Sequence, residues 1–255
     1  ENDSLKGETD QLEALKELIG ELKSQEIKFT DAVLQLPDAD LGEKTKALVT
    51  ISVANIRSNP KHSAELATQA LMGTPLNVLK HVDGWFLVQT PDGYLSWVDR
   101  AGIHLMNEDE LEYWFKEPKA VYTSLTGYVW NSPKKEEMVS DLVAGDILTI
   151  ADETKDLLKV NLPDGRQGWI FSSEAQDWDS WIASRSTTPE KLITTAKQMM
   201  GTPYLWGGTS IKGVDCSGFT KTIYYLNGQI IPRDASQQIN EGELVDTDKV
   251  WEKLQ

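Results

Sequence analysis

The stretches "PDGYLSWV" at residues 91–98 and "PDGRQGWI" at residues 163–170 share a Pro-Asp-Gly step followed by a tryptophan and a β-branched residue. The second stretch lies 72 residues after the first, and the same interval separates "ELATQALMGT" at 65–74 from "EMVSDLVAGD" at 137–146. A constant interval over such a length indicates two copies of one structural unit.

Each copy consists of short β-rich runs separated by turn residues. "WFLVQT" in the first copy and "LLKVNL" in the second both precede Pro-Asp-Gly and a further β-rich run. Asp-Gly between two such runs is a strong hairpin signal, because the glycine adopts the positive φ that the turn requires. We therefore predict two small antiparallel barrels of roughly 60 to 70 residues each. Trp97 and Trp169 are expected in the barrel cores.

Composition limits the class of protein. The chain has 255 residues, of which 40% are apolar, so it is long enough for two or three domains. Forty acidic and 25 basic residues give a net charge of -15 without a basic stripe, which argues against a nucleic-acid partner. No stretch approaches the ~20 apolar residues of an integral membrane span.

Two helices are predicted outside the repeated units. Residues 9–23, "TDQLEALKELIGELK", carry leucine and isoleucine at helical spacing, and the acidic polar face favours packing on the next domain over a membrane surface. Residues 108–118, "EDELEYWFKEP", predict a connecting helix that ends at a proline. The chain opens without methionine, as expected for a mature product that has lost a signal segment or for a trimmed chain.

A third domain is predicted after the polar linker that follows residue 171. Thr188 is a candidate cap, Pro189 suits the first helical position and Glu190 favours the positive end of the helix dipole. The apolar residues expected on the buried face of this helix are Leu192, Ile193, Ala196, Met199 and Met200.

The single cysteine lies in "GTPYLWGGTSIKGVDCSGFTKTIYYLNG", residues 201–228. The apolar spacing after Asp215 predicts a helix with Cys216 at its N-terminus, where the helix dipole and free amides stabilise a thiolate. The glycines before Cys216 permit a close approach of the backbone to a group that contacts the sulfur. Asp215 and Ser217 place polar side chains on both sides of the thiol. A single cysteine is more often a buried core residue, but the helix N-terminus, the glycines and the polar neighbours of Cys216 favour a nucleophile.

The motifs "TPYLWGGTS…GVDCSGFTK" and "IPRDASQQ" resemble the NlpC family of cell-wall peptidases, which are papain-like cysteine hydrolases. The repeated units resemble bacterial SH3-like domains, and the combination is most similar to the YkfC-type branch of γ-D-glutamyl-L-diamino acid endopeptidases. The resemblance implies an α+β fold of two SH3-like barrels followed by a papain-like NlpC-type domain that lacks its C-terminal sheet in this chain. It also implies peptidoglycan peptides, L-Ala-γ-D-Glu-diamino acid, as substrates in the cell envelope, periplasmic or secreted.

The predicted organisation has four parts. They are an N-terminal helical segment at 1–44, a first SH3-like domain at 45–107, a second one with its connecting helix at 108–178, and the N-terminal part of the NlpC-type domain at 179–255.

The resemblance assigns roles to residues around the cysteine. Cys216 is the implied nucleophile, and Tyr204 lies beside it, where its hydroxyl helps to stabilise an oxyanion. Asp215, Ser217 and Trp206 are expected to line the cleft.

The first SH3-like domain is expected to close one end of the cleft. Asp234 and Glu65 are the implied partners of the free amine of an N-terminal L-alanine, because a partly buried ammonium needs an anionic partner. Tyr94 or Trp97 is the implied aromatic wall. A solvated surface role for Glu65 stays open, since Glu137 repeats it where no cleft is expected.

A thiol hydrolase needs a histidine base. The chain has only His62, His81 and His104, all in the first repeat, so the resemblance implies a catalytic histidine beyond residue 255. One thiol and three scattered histidines give no metal-ligand spacing, and no cofactor is expected. The alternatives are a non-catalytic module that binds cell-wall peptides and, less favoured, an acyltransferase or amidase on the same fold.

Overall fold

The computed structural model of the protein describes residues 3–243 and begins with a small β-α-β unit. Strand β1 (Asp3–Thr9) and strand β2 (Phe29–Gln35) pair in parallel, and helix α1 (Leu12–Ser24) connects them. This N-terminal segment was expected to be only helical; the two strands escape a periodicity search because neither alternates apolar and polar residues. No residue of α1 is buried, so the expected packing of this helix into the next domain is not seen.

Seven antiparallel strands form the first barrel, in the order β5-β4-β8-β7-β6-β3-β9 across the sheet. The strands are β3 (Lys46–Val49), β4 (Val53–Arg57), β5 (Leu66–Leu71), β6 (Pro75–Val82), β7 (Trp85–Gln89), β8 (Leu95–Asp99) and β9 (Ile103–Met106). Their inward side chains, among them Ile56, Val78 and Val88, are fully buried and form one apolar core. Helix α2 (Glu108–Lys116) follows and has a capping box between Asn107 and Glu110.

The second barrel repeats the first, with the order β12-β11-β15-β14-β13-β10-β16. Its strands are β10 (Lys119–Tyr122), β11 (Thr126–Trp130), β12 (Met138–Val143), β13 (Ile147–Glu153), β14 (Leu157–Asn161), β15 (Gln167–Phe171) and β16 (Ala175–Asp177). Gly93 and Gly165 occupy the predicted hairpin turns with φ of 79° and 86°. The prediction of two antiparallel barrels is confirmed.

The tryptophans of the repeat do not lie in the barrel cores as expected. On β8, Ser96 and Val98 are buried, so the alternation of a strand turns the half-buried Trp97 to the other face of the sheet. Trp169 has the same position on β15. The Trp-Val and Trp-Ile steps mark the strand, but the β-branched residue is the one that enters the core.

The two barrels share a buried polar contact at Asp146, which is fully buried. Its carboxylate accepts from the Val143 amide at 2.8 Å and from the Met72 amide of the first barrel at 3.0 Å. Burial raises the pKa of Asp146 well above its usual range, because two amide hydrogen bonds offset only part of the lost hydration.

The third unit is mainly helical. It contains α3 (Trp178–Ser184), α4 (Pro189–Gln198), β17 (Thr209–Ser210), β18 (Gly213–Val214), α5 (Cys216–Leu226) and α6 (Ala235–Gln238). Met199, the residue that follows α4, and Ile223 on α5 are buried in one apolar cluster between these helices. The predicted buried face of α4 is wrong at Ile193 and Met200, which are 53% and 79% exposed, because only one side of this helix is covered in the described part of the chain.

None of the helices within residues 3–243 is both long and apolar enough to cross a membrane.

Candidate active site

The site begins where α5 begins. Asp215 is the N-cap of α5, and its Oδ1 accepts from the Gly218 amide at 2.7 Å. Its Oδ2 accepts from the amide of Gly207 at 2.9 Å, which ties the Trp-Gly-Gly turn to the helix. Cys216 occupies the first helical position and is exposed. The sequence "DCSGF" therefore combines a cap, an exposed thiol and a tightly packed first turn.

A buried ion pair stabilises the first turn of α5. The Asp215 side chain is 7% exposed and that of Arg233 3%, and Arg233 Nη2 donates to Asp215 Oδ2 at 2.6 Å. Arg233 Nη1 also donates to the Ser217 hydroxyl at 2.8 Å. Burial acts to raise the pKa of Asp215, but the hydrogen bonds from Arg233, Gly218 and Gly207 outweigh it and leave that pKa below its usual value.

A cleft of about 440 Å³ lies above Cys216, between the helical unit and the first barrel. Its lining residues come from the barrel and from the helical unit, and they are Ser58, Glu65, Leu66, Ala67, Tyr94, Trp206, Gly207, Asp215, Cys216, Ser217, Arg233, Asp234, Ala235 and Ser236. The cleft thus brings together seven of the nine residues expected in the site.

Glu65 reaches the cleft from the long loop of the first barrel. Its Oε1 accepts from Trp206 Nε1 at 2.6 Å, a contact between the barrel and the helical unit. Glu137, its counterpart in the repeat, instead accepts from Asn131 at 3.3 Å within the second barrel. The two glutamates thus occupy equivalent positions with different surroundings.

Tyr94 lines the cleft opposite Asp234. Burial, followed by the negative charges of Asp234 and Glu65, raises the pKa of Tyr94 above its usual value, although Arg233 acts in the opposite direction. The hydroxyl of Tyr94 therefore stays protonated at neutral pH and remains a hydrogen-bond donor.

Two expected site residues do not line this cleft. Trp97 is on β8 but does not line the cleft, so of the two candidates for the aromatic wall only Tyr94 lies there, together with Trp206 of the helical unit. Tyr204 forms a backbone bridge with Val214, two residues before the cysteine, and the residue is 70% exposed. The histidines also lie elsewhere: His62 contacts Trp85, and His81 packs on Phe86.

Both barrels dock on the β17–β18 hairpin. The Thr209 amide donates to Gln69 Oε1 at 2.9 Å, and the Thr209 hydroxyl donates to the Gln69 carbonyl at 3.1 Å. Asp141, which lies 72 residues after Gln69, forms an ion pair with Lys212 of the same hairpin. Lys212 also donates to Ser52 of the first barrel at 2.7 Å. Equivalent positions of the two copies therefore hold one hairpin.

Arg233 is the residue that sequence reasoning missed. It is the one arginine after residue 185, and it directly precedes the predicted Asp234. Its isolation is the available signal, because a lone arginine beside an acidic site residue suggests a carboxylate partner. Within residues 3–243 there is no group of three or more His, Cys, Asp or Glu side chains that could hold a metal ion.

Two protein families match parts of the chain, and a curated relative matches most of it. Residues 56–103 match the family described as "Bacterial dipeptidyl-peptidase Sh3 domain", and residues 201–251 match the NlpC/P60 family. Dipeptidyl-peptidase 6 of Lysinibacillus sphaericus is 30% identical over 200 residues, covering 74% of this chain and 72% of that protein. The chain belongs to the NlpC/P60 family.

Two further relatives support this assignment to the NlpC/P60 family. A γ-D-glutamyl-L-lysine dipeptidyl-peptidase of Bacillus cereus is 31% identical over 190 residues, which cover 71% of this chain and 56% of that protein. The crystal structure of an NlpC/P60 family protein from Bacillus cereus aligns with a TM-score of 0.68 at 27% identity, covering 80% of this chain and 79% of that chain. The chain therefore spans little more than half the length of the first of these relatives.

Gly207 tests how closely the NlpC/P60 domain meets the first barrel. It has a φ of +81°, and a Cβ there would lie 2.1 Å from the Leu66 carbonyl oxygen. We expect Gly207→Ala to lower the free energy of unfolding by about 2–4 kcal/mol, through backbone strain and displacement of the barrel. Urea unfolding measures this change. Gly201→Ala is the matched control, because Gly201 has a φ of +91° with nothing within 4 Å, and it should cost only about 1–2 kcal/mol. Equal losses in the two variants would contradict a tight contact.

Proposed function

We propose that this NlpC/P60 protein is a cysteine endopeptidase that hydrolyses peptidoglycan-derived peptides between γ-D-Glu and the diamino acid. The observation that carries the proposal is the shared cleft, in which Cys216 and Asp234 face Glu65 and Tyr94 of the first barrel. The similarity to the Bacillus cereus γ-D-glutamyl-L-lysine dipeptidyl-peptidase supports cleavage after γ-D-Glu. Because such peptides originate from the cell wall, we place the protein in the cell envelope, periplasmic or secreted.

The barrel side of the cleft suits a free N-terminal amine. Two carboxylates, Glu65 and Asp234, line the cleft together with the protonated hydroxyl of Tyr94. An ammonium group in such a partly closed space recovers its lost hydration only through charged partners. A free L-Ala amine at this end leaves one γ-D-Glu residue to span the distance to Cys216, which makes the enzyme selective for released peptides with a short N-terminal part.

The chemistry is acyl transfer through Cys216. Its sulfur bonds to the γ-glutamyl carbonyl carbon, the C–N bond breaks, and a histidine, which we place beyond residue 255, protonates the departing amine. Water then hydrolyses the thioester. The Gly218 and Phe219 amides are already bonded to Asp215, whereas those of Cys216 and Ser217 have no acceptor among the described residues. These two amides are the proposed donors to the oxyanion.

Charge neutralisation tests the amine pocket. We expect Glu65→Gln and Asp234→Asn each to raise KM for L-Ala-γ-D-Glu-diaminopimelate by about 10- to 100-fold, because a hydrogen bond to a charged group is lost or weakened. The glutamine at 65 keeps an oxygen that accepts from Trp206, so the effect isolates the charge. Glu137→Gln, the equivalent change in the second barrel, should leave KM unchanged.

The readout is mass-spectrometric detection of L-Ala-D-Glu with the natural protein, using free and N-acetylated peptide. An equal effect of the Glu65 and Glu137 variants on KM would contradict the proposed amine pocket. Equal rates of cleavage of the free and N-acetylated peptides would contradict it as well.

A second candidate function is a module that binds such peptides without cutting them. It is favoured by one observation: His62, His81 and His104 lie in the first barrel and none of them lines the cleft. Binding of the peptide by the natural protein with no release of L-Ala-D-Glu would establish this alternative.

A further inference from the structure

An ion pair between Asp92 and Lys221 joins the first barrel to the helix of the nucleophile. The Asp92 side chain is 5% exposed and that of Lys221 16%, and the Lys221 ammonium donates directly to Asp92 Oδ2. Burial lowers the pKa of Lys221, and the Asp92 carboxylate offsets part of that effect. A pair so deeply buried is costly to desolvate, so it is maintained only with closely defined geometry.

The two partners belong to the elements that carry opposite walls of the cleft. Asp92 lies in the hairpin turn before Tyr94, where the Thr90 hydroxyl donates to its Oδ1 at 2.6 Å and the Thr90 amide donates to the Tyr94 carbonyl at 3.0 Å. Lys221 lies on α5, five residues after Cys216. The ion pair therefore connects the turn of Tyr94 to the helix of the thiol, with Tyr94 two residues after Asp92 and Lys221 five residues after Cys216 along the chain.

The repeat shows that the barrel fold does not need this contact. Asp164, the equivalent of Asp92, pairs with Arg166 at 2.7 Å inside its own turn. In the second barrel the aspartate thus stays within its own turn, and Arg166 donates onward to the Thr50 carbonyl of the first barrel at 2.8 Å, whereas the aspartate of the first barrel binds α5. The contact with α5 is therefore made by the first barrel, which is the barrel that lines the cleft.

We propose that Asp92 and Lys221 are positioning residues that set the width of the cleft between Tyr94 and Cys216, and thereby the preference for a free N-terminal amine. The preference part rests on the proposed function, whereas the width part does not. Without the pair, the turn that carries Tyr94 is released from α5, and the wall that limits the length of the N-terminal part of the substrate is free to move.

The test compares Lys221→Met and Asp92→Asn with the conservative Lys221→Arg in the natural protein. Lys212→Met is the matched control, because it breaks a more exposed contact of the NlpC/P60 domain with both barrels, at Asp141 and Ser52, neither of which belongs to the Tyr94 turn or to α5. Two readouts are needed: the ratio of kcat/KM for free-amine and N-acetylated L-Ala-γ-D-Glu-diaminopimelate, and the ratio of Cys216 alkylation rates with a bulky fluorescein iodoacetamide and with iodoacetamide.

We expect Lys221→Met and Asp92→Asn to lower the peptide selectivity ratio about tenfold, mainly through KM of the free-amine peptide, which corresponds to about 1.4 kcal/mol. The rate of Cys216 alkylation by fluorescein iodoacetamide should rise several-fold relative to the rate with iodoacetamide. Lys221→Arg should retain both natural ratios, and Lys212→Met should change neither.

A lower unfolding midpoint with both ratios unchanged would overturn the proposal and leave the pair as purely structural. If the natural protein cleaves neither peptide, the proposed function fails, and the alkylation ratio alone decides the inference: a gain for the bulky reagent supports it, and an unchanged ratio overturns it.

Discussion

Cys216→Ala is expected to reduce release of L-Ala-D-Glu by at least about 10⁴-fold, because removing a nucleophile eliminates the covalent route. The unfolding midpoint should not fall, since Cys216 is exposed. Mass-spectrometric product analysis measures the release, and peptide binding by the variant confirms that the cleft is intact.

Cys216→Ser is the second variant for this prediction. Serine keeps the size of the side chain but is a far weaker nucleophile at neutral pH, so a comparable loss is expected. Residual release above about one per cent of the natural rate in either variant would contradict the assignment of Cys216 as nucleophile.

The second large effect is expected from Arg233→Met. The change leaves Asp215 buried without its cation, and breaking a buried pair from one side costs about 3–5 kcal/mol of unfolding free energy. Lys116→Met is the control, because Lys116 and Glu112 form an exposed pair at 3.5 Å whose loss should cost less than about 1 kcal/mol. Urea unfolding at pH 7 distinguishes the two.

The pH dependence of this loss has a defined sign. In the natural protein the pKa of Asp215 lies below its unfolded value, so its contribution to stability is present above about pH 4 and is lost as the pH falls through the folded pKa. Without Arg233, burial dominates and raises that pKa, so the variant gains relative stability in acid. The difference between the two proteins should therefore shrink from pH 7 towards pH 4. A constant difference would show that the loss comes from packing rather than charge.

The sequence predicted the elements better than their mutual contacts. The repeat and the Asp-Gly turns predicted both barrels, and the spacing after Asp215 predicted α5, because these signals are local. The strands of the N-terminal unit were missed, since "DSLKGET" has no apolar alternation. On α4, helical periodicity identified an apolar face, but it cannot tell which residues a neighbouring element covers.

The same distinction between local signals and contacts of distant segments applies to the candidate site. Cys216, Asp215 and Ser217 were predicted as site residues from one short motif, in which residue type and helix position act together, and all three line the cleft. Arg233 was not identified, because its partner lies 18 residues away and the pairing depends on how α5 meets the following loop. Glu65 stayed ambiguous from sequence alone; the contact with Trp206, 141 residues further on, is a product of domain docking.

The contact of Glu65 with Trp206 and that of Gln69 with Thr209 have a consequence for biosynthesis. The thiol and the carboxylate that faces it come from different units of the fold, so neither unit alone contains the complete cleft. Under the proposed function, a chain whose first barrel and NlpC/P60 domain have not docked carries the thiol but has no second wall to hold a peptide beside it. A newly made chain therefore becomes competent for the proposed cleavage only after these two units have docked.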